Sequence, residues 1–122
     1  IKAKPLLGHG TASYTYVQGE LIKGTKTIPT DNPHNEYLFI GVQLGLIGLS
    51  TFLSMLLVQL ICSFNLNDNS RNLLQGVVVS MMVGCLMNSF LFDSMQGHFY
   101  AFLVALLCSS SQHHNSLEIR KR

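Results

Sequence analysis

Residues Leu38 to Phe64, LFIGVQLGLIGLSTFLSMLLVQLICSF, run for 27 positions without a charged side chain. About 20 apolar residues at ~1.5 Å rise each cross the hydrocarbon layer of a bilayer, so this stretch predicts a membrane-spanning helix. Gln43, Ser50, Thr51, Ser54 and Gln59 interrupt it, which suits a helix with one face against other helices instead of lipid. Gly41, Gly45 and Gly48 recur at steps of four and three. Small residues at that spacing let another helix backbone come close.

The flanks repeat the pattern more weakly. Asn65 to Asn72 (NLNDNSRN) reads as a polar turn, and Leu73 to Phe92 as a second uncharged run, of 20 residues. Gly76, Ser80 and Gly84 repeat every four residues along it, again a close-packing stripe. Asp93 ends that run. A shorter apolar run follows, roughly Met95 to Ser110, with Gln96 and His98 near its start. The tail from Ser111 is polar and closes on Arg120, Lys121 and Arg122. On the other side, residues 1–36 have no periodicity and are punctuated by Pro5, Gly8, Gly10, Gly19, Gly24 and Pro29. They read as a loop with at most a short helix or turn, outside the hydrocarbon. Basic residues near membrane ends favour the cytoplasm. Arg71 and the terminal Arg-Lys-Arg put the turn and the tail there and residues 1–36 outside, against the contrary vote of Lys2, Lys4, Lys23 and Lys26.

Composition agrees. Charged residues are 11% of the chain and hydrophobic residues 48%, against about 25% charged in soluble domains. A net charge of +2 is too small to imply a nucleic-acid partner, and no basic stripe with interleaved aromatics appears, so none is expected. Cys62, Cys85 and Cys108 all sit in apolar runs without metal-ligand spacing or a paired framework, and read as small buried hydrophobes. No metal cluster, dinucleotide fingerprint or Gly-x-Ser-x-Gly is present. The chain begins with Ile1 and carries no secretory signal. It reads as the C-terminal part of something longer, with any targeting segment upstream.

The residues that carry chemistry cluster at the start of the first span, in Asp31-Asn32-Pro33-His34-Asn35-Glu36-Tyr37. Proline favours the first helical position and asparagine the cap, so the helix is expected to begin at Pro33 with Asn32 as its N-cap. His34 then falls in the first turn, where the helix leaves the bilayer. The positive end of the helix dipole disfavours a charged imidazole there and leaves it able to accept a proton. Free N–H groups of the same turn attract an anion such as a phosphate. The blander reading is an interfacial histidine bonded to a neighbouring loop, with Asn35 and Glu36 as ordinary first-turn residues; both readings stand at this point. Asp93 is the second candidate, because a carboxylate at the end of an apolar run is costly unless paired or at the interface. It can orient a base or hold an acceptor sugar, or simply mark the boundary, and His98 is a possible partner. His9, in a glycine-rich stretch that matches no phosphate loop, reads as structural. His113 and His114 are a weak metal signal in a solvated tail.

Taken in order, these features go further than their physics. Lys4-Pro5-Leu6-Leu7-Gly8-His9-Gly10-Thr11-Ala12-Ser13-Tyr14, then Pro33-His34-Asn35-Glu36-Tyr37-Leu38, then Gly45-Leu46-Ile47-Gly48-Leu49 with Phe52 resemble the successive motifs of the O-antigen ligase and polymerase superfamily. Asn88 to Asp93 with Gly97-His98-Phe99 is similar to that family's late hairpin. Ala12 stands where glycine is commoner. The resemblance covers about residues 3–110; each motif is loose alone, and their order and spacing make them specific.

The resemblance implies an all-α membrane protein of the bacterial inner membrane, with about three transmembrane helices preceded by a periplasmic loop segment. The expected layout is a periplasmic loop at 1–32, transmembrane helices at 33–64, 73–93 and 94–111, a cytoplasmic turn at 65–72 and a cytoplasmic tail at 112–122. It implies a glycosyltransferase that moves a glycan from undecaprenyl pyrophosphate to an acceptor at the periplasmic face. That acceptor is the lipid A–core of lipopolysaccharide in ligases, a protein hydroxyl in oligosaccharyltransferases and another repeat unit in polymerases. The family histidine maps onto His34 as the catalytic residue, Asn35 and Asp93 are the expected substrate-binding residues, and no metal or cofactor is expected. The resemblance places the family's functional arginines upstream of the matched stretch, and they have no counterpart here, because this chain's arginines are Arg71, Arg120 and Arg122 alone. This segment is therefore expected to be inactive by itself. The competing expectation is a non-enzymatic membrane module, favoured by the small-residue faces and the incomplete catalytic set.

Overall fold

The computed structural model describes residues 4–92 and 94–120. Four helices follow one another: α1 (Tyr14–Leu21), α2 (Glu36–Ser63), α3 (Asp68–Met87) and α4 (Ser94–Arg120). No strand occurs among the described residues, so the fold is all-α, as the sequence predicts. Both α2 and α3 are long and apolar enough to cross a membrane. The third helix forms too, but its apolar part, Met95–Ser109, is shorter. Its backbone stays helical to Arg120, through the stretch expected to be a polar tail.

Helices α2, α3 and α4 pack in sequence order around one core. Phe52 and Leu56 from α2 meet Leu74, Val78, Met81 and Cys85 from α3 and Tyr100 from α4. The buried residues of α3, from Ser70 through Leu74, Val78 and Met81 to Cys85, step by three and four, which is one stripe of a helix. That stripe is not the expected one. Gly76 and Ser80 are exposed and a Cβ at Gly76 would meet nothing; only Gly84 has a close neighbour, the Phe90 ring. Leu and Val side chains bury more apolar area than a glycine seam, and they take the packed face. Polar side chains tie the helices where water is scarce. Gln75 Nε2 donates to Ser63 Oγ at 2.9 Å, Tyr37 Oη donates to Met82 O at 2.9 Å, and Tyr100 Oη donates to Gln59 Oε1. Outward, Leu46, Ile47, Leu57, Val58, Ile61, Val79 and Val83 are exposed, a surface that suits lipid or further apolar helices.

The first span is broken. Gly45 has φ 67° and ψ −159° in the middle of α2, in a region open to glycine and costly for other residues. A break strands carbonyls on one side and N–H groups on the other, and such groups at membrane depth cost several kcal/mol each unless satisfied. Residues 4–10 fold back as a strap that satisfies them. His9 N–H donates to Val42 O at 3.0 Å and Gly10 N–H to Gln43 O at 2.9 Å. Leu46 N–H donates to Pro5 O at 2.9 Å and Ile47 N–H to Leu6 O at 3.2 Å. The close approach the glycines foretell therefore occurs at Gly45, from a loop and not from a helix. A Cβ on Gly45 would run into the Leu6 carbonyl and the Gly8 nitrogen, and one on Gly8 into the Gln43 carbonyl.

Candidate active site

Helix α2 begins at Glu36, three residues later than the proline rule predicts, and Asn35 is its N-cap, accepting from Leu38 N–H at 2.9 Å. Asn32 makes a turn instead: its Oδ1 accepts from His34 N–H at 2.8 Å. His34 sits between these two asparagines with φ 51°, outside the helix. Left-handed backbone is uncommon for residues other than glycine, although histidine is among those that adopt it more often. Two asparagines three residues apart are both competent caps, and contacts from a distant segment decide between them.

That segment is 82–92, the end of α3 and the turn into α4. Ser89 Oγ donates to Asn32 Oδ1 at 2.7 Å, Asn35 Nδ2 donates to Leu86 O at 3.0 Å, and the His34 ring Nδ1 lies 3.3 Å from Asn88 Oδ1. Glu36, only 3% exposed, accepts through Oε2 from Leu91 N–H at 3.0 Å and Phe92 N–H at 3.3 Å. The two sequence motifs that stand more than 50 residues apart thus form one hydrogen-bonded cluster. Asn35, expected to contact substrate, uses its Oδ1 as a cap and one amide proton on Leu86. Asp93 lies outside the described residues. The sequence alone marks Glu36 only as an ordinary first-turn residue. Its signal was available: a carboxylate opening a 27-residue uncharged run needs a partner as much as Asp93 does.

The proton positions on the imidazole follow from its partners. Asn88 Oδ1 also accepts from the Ser89 backbone N–H at 2.9 Å. A backbone N–H can only donate, so this atom is the amide oxygen and not its nitrogen. His34 Nδ1 facing the same oxygen then carries the proton. In the neutral ring, Nε2 is left as the acceptor. His34 is exposed, so Nε2 is open to a ligand.

Beside this cluster a cavity of about 640 Å³ opens between α1 and the first half of α2. Glu36 and Gln43, both buried, line it together with Thr11, Thr15, Asp31 and the rings of Tyr14, Phe39 and Phe92. The rings form a row, with centroids 5.8 Å apart for Tyr14 and Phe39 and 4.8 Å for Phe39 and Phe92. Burial pushes the Tyr14 phenol up, so it is a neutral hydroxyl. Thr15 Oγ1 donates to Asp31 Oδ1 at 2.8 Å across the rim, and Gln43 Oε1 accepts from Ala12 N–H. Ala12 itself has φ 61°, so the position where the resemblance expects glycine is one with a backbone that favours glycine. His9 points its Nδ1 at Val42 O, 3.3 Å away, which fits the structural role expected for it. No group of three or more metal-ligating side chains exists among the described residues.

Residues 1–53 match a family model described as O-antigen ligase. Neither a curated protein nor a solved structure matches the chain.

Proposed function

We propose, from the premise that residues 1–53 belong to the O-antigen ligase-like superfamily, that this chain carries part of the active site of a glycosyltransferase working at a membrane surface. The donor is a glycan on undecaprenyl pyrophosphate and the acceptor the lipid A–core of lipopolysaccharide, at the periplasmic face of the inner membrane. The observation that carries the reading is the His34–Asn88 pair. It fixes the imidazole as an Nδ1–H tautomer and leaves Nε2 to accept a proton. In the reaction, the acceptor hydroxyl oxygen attacks the anomeric carbon, the bond from that carbon to the pyrophosphate oxygen breaks, and His34 Nε2 takes the hydroxyl proton. A positioned base contributes roughly 10²–10⁴-fold to such a step. Asn35 and Asp93 complete the proposed substrate-binding set. The charge on the leaving pyrophosphate needs cations, and Arg71 at the far end of α3 cannot provide them. The reading assigns that role to arginines elsewhere in the full-length protein.

The test is glycan profiling of a null strain complemented with the full-length gene, wild-type or His34→Ala, with lipopolysaccharide and glycoproteins compared side by side. Loss of long-chain lipopolysaccharide in His34→Ala, with lipid-linked glycan accumulating and protein level unchanged, is the expected result. Loss of a protein-bound glycan instead assigns the oligosaccharyltransferase branch, and loss of chain length alone the polymerase branch. Unchanged glycans remove His34 from the mechanism and favour a non-enzymatic membrane module.

A further inference from the structure

The cavity beside the His34 cluster has a chemistry of its own. At about 640 Å³ it falls within the range of small-molecule sites. Among the described residues, its lining holds two carboxylates, Asp31 and Glu36, and no lysine, arginine or histidine. A pyrophosphate placed there would meet like charge with nothing to offset it, and like-charge contacts in a desolvated site cost several kcal/mol. A polyprenyl chain fits no better. It would bury Asp31, Glu36 and Gln43 against hydrocarbon that offers them no hydrogen bond.

A sugar ring satisfies both halves of the lining. Its C–H faces are attracted to the negative π-faces of a row of rings such as Tyr14, Phe39 and Phe92. Its hydroxyls donate to Asp31 and accept from the Gln43 amide. That amide uses its Oε1 on Ala12, and among the described residues nothing accepts from its Nε2. Asp31 is held at the rim by Thr15 and is exposed on its other side. From this lining we infer that the cavity is a subsite for an electrically neutral sugar ring and rejects uronic acids and other anionic sugars. The inference rests on the proposed glycosyl transfer and names the charge class of the sugar that sits beside the reacting groups.

The test uses the full-length protein in detergent and reads binding apart from turnover. Saturation-transfer NMR is recorded with methyl α-glucoside, methyl α-glucuronide and farnesol. The glucoside is expected to bind and the glucuronide to bind at least ~10-fold more weakly. Asp31→Asn keeps an acceptor oxygen for Thr15 and for the sugar hydroxyl, and is expected to narrow that gap several-fold because it strengthens glucuronide binding while weakening glucoside binding by no more than a few-fold. Thr15→Trp, which fills the mouth, is expected to remove both sugar signals while the melting temperature holds. Equal binding of the two sugars by the wild type, a gap that Asp31→Asn leaves intact, or farnesol binding with no sugar signal each overturns the assignment. His34→Ala separates the two claims. It is expected to keep the sugar signal and lose transfer, so normal transfer by that variant sinks the proposed base and leaves the subsite standing.

Discussion

Gly8 and Gly45 lie backbone against backbone, and neither has room for a Cβ. Both also hold positive φ, 68° and 67°. Alanine at either position therefore meets two penalties, a left-handed backbone at about 1–2 kcal/mol and a collision with main chain that cannot swing aside, at about 1–3 kcal/mol. Gly8→Ala and Gly45→Ala are each expected to destabilise the protein by about 3 kcal/mol. Gly10, with φ 98° and open space around its Cβ position, is the control; Gly10→Ala should cost only the backbone term. Thermal melts of the full-length variants in detergent check the ranking, and equal losses at all three positions would refute the packing argument.

His34 offers a cleaner dissection than alanine alone. Asparagine tolerates the left-handed backbone at this position but has no imidazole. His34→Asn is expected to keep normal protein level and lose transfer by roughly 10²-fold or more. His34→Val should lose protein as well, because a β-branched residue is a poor fit to φ 51°. Immunoblots beside lipopolysaccharide gels separate the two effects. Equal activity in His34→Asn and wild type counts against the base.

Glu36 joins α2 to the turn before α4 through two backbone N–H groups. Hydrogen bonds to a charged group contribute about 1.5–3 kcal/mol each, and buried donors left without a partner are costly. Glu36→Ala is expected to destabilise by about 3 kcal/mol, and Glu36→Gln, which keeps an acceptor oxygen, by about 1 kcal/mol. If the two variants melt together, the carboxylate is not what holds the turn.

Ala12 stands at φ 61°. Replacing it by glycine relieves about 1 kcal/mol of backbone strain, offset in part by the greater freedom of glycine in the unfolded chain. Ala12→Gly is expected to gain roughly 0.5 kcal/mol, read as a rise in melting temperature. A fall would mean that the methyl group packs.

The spans and the all-α class were legible because a run without charge carries its meaning locally. The break at Gly45 was not. The sequence shows a glycine stripe, and whether a stripe admits a helix or a strap depends on residues 4–10 arriving from 35 or more positions away. The cap was misplaced for a similar reason. Asn32 and Asn35 are equal candidates by local chemistry, and Ser89 and Leu86 settle which one turns and which one caps. The His34 region was found as a motif, while its partner Asn88 was visible only as part of a family-like stretch. Nothing about the isolated residue announces that it faces an imidazole.

The break in α2 also sets a height. The half from 46 to 63 has 18 residues, about 27 Å at ~1.5 Å each, close to the ~30 Å hydrocarbon thickness. The half from 36 to 44 adds nine more, about 13 Å. With Ser63 at one edge of the hydrocarbon, Gly45 falls near the opposite edge, and the outer half stands as a pedestal through the headgroup layer. The strap across Gly45 braces that pedestal where it leaves the oil.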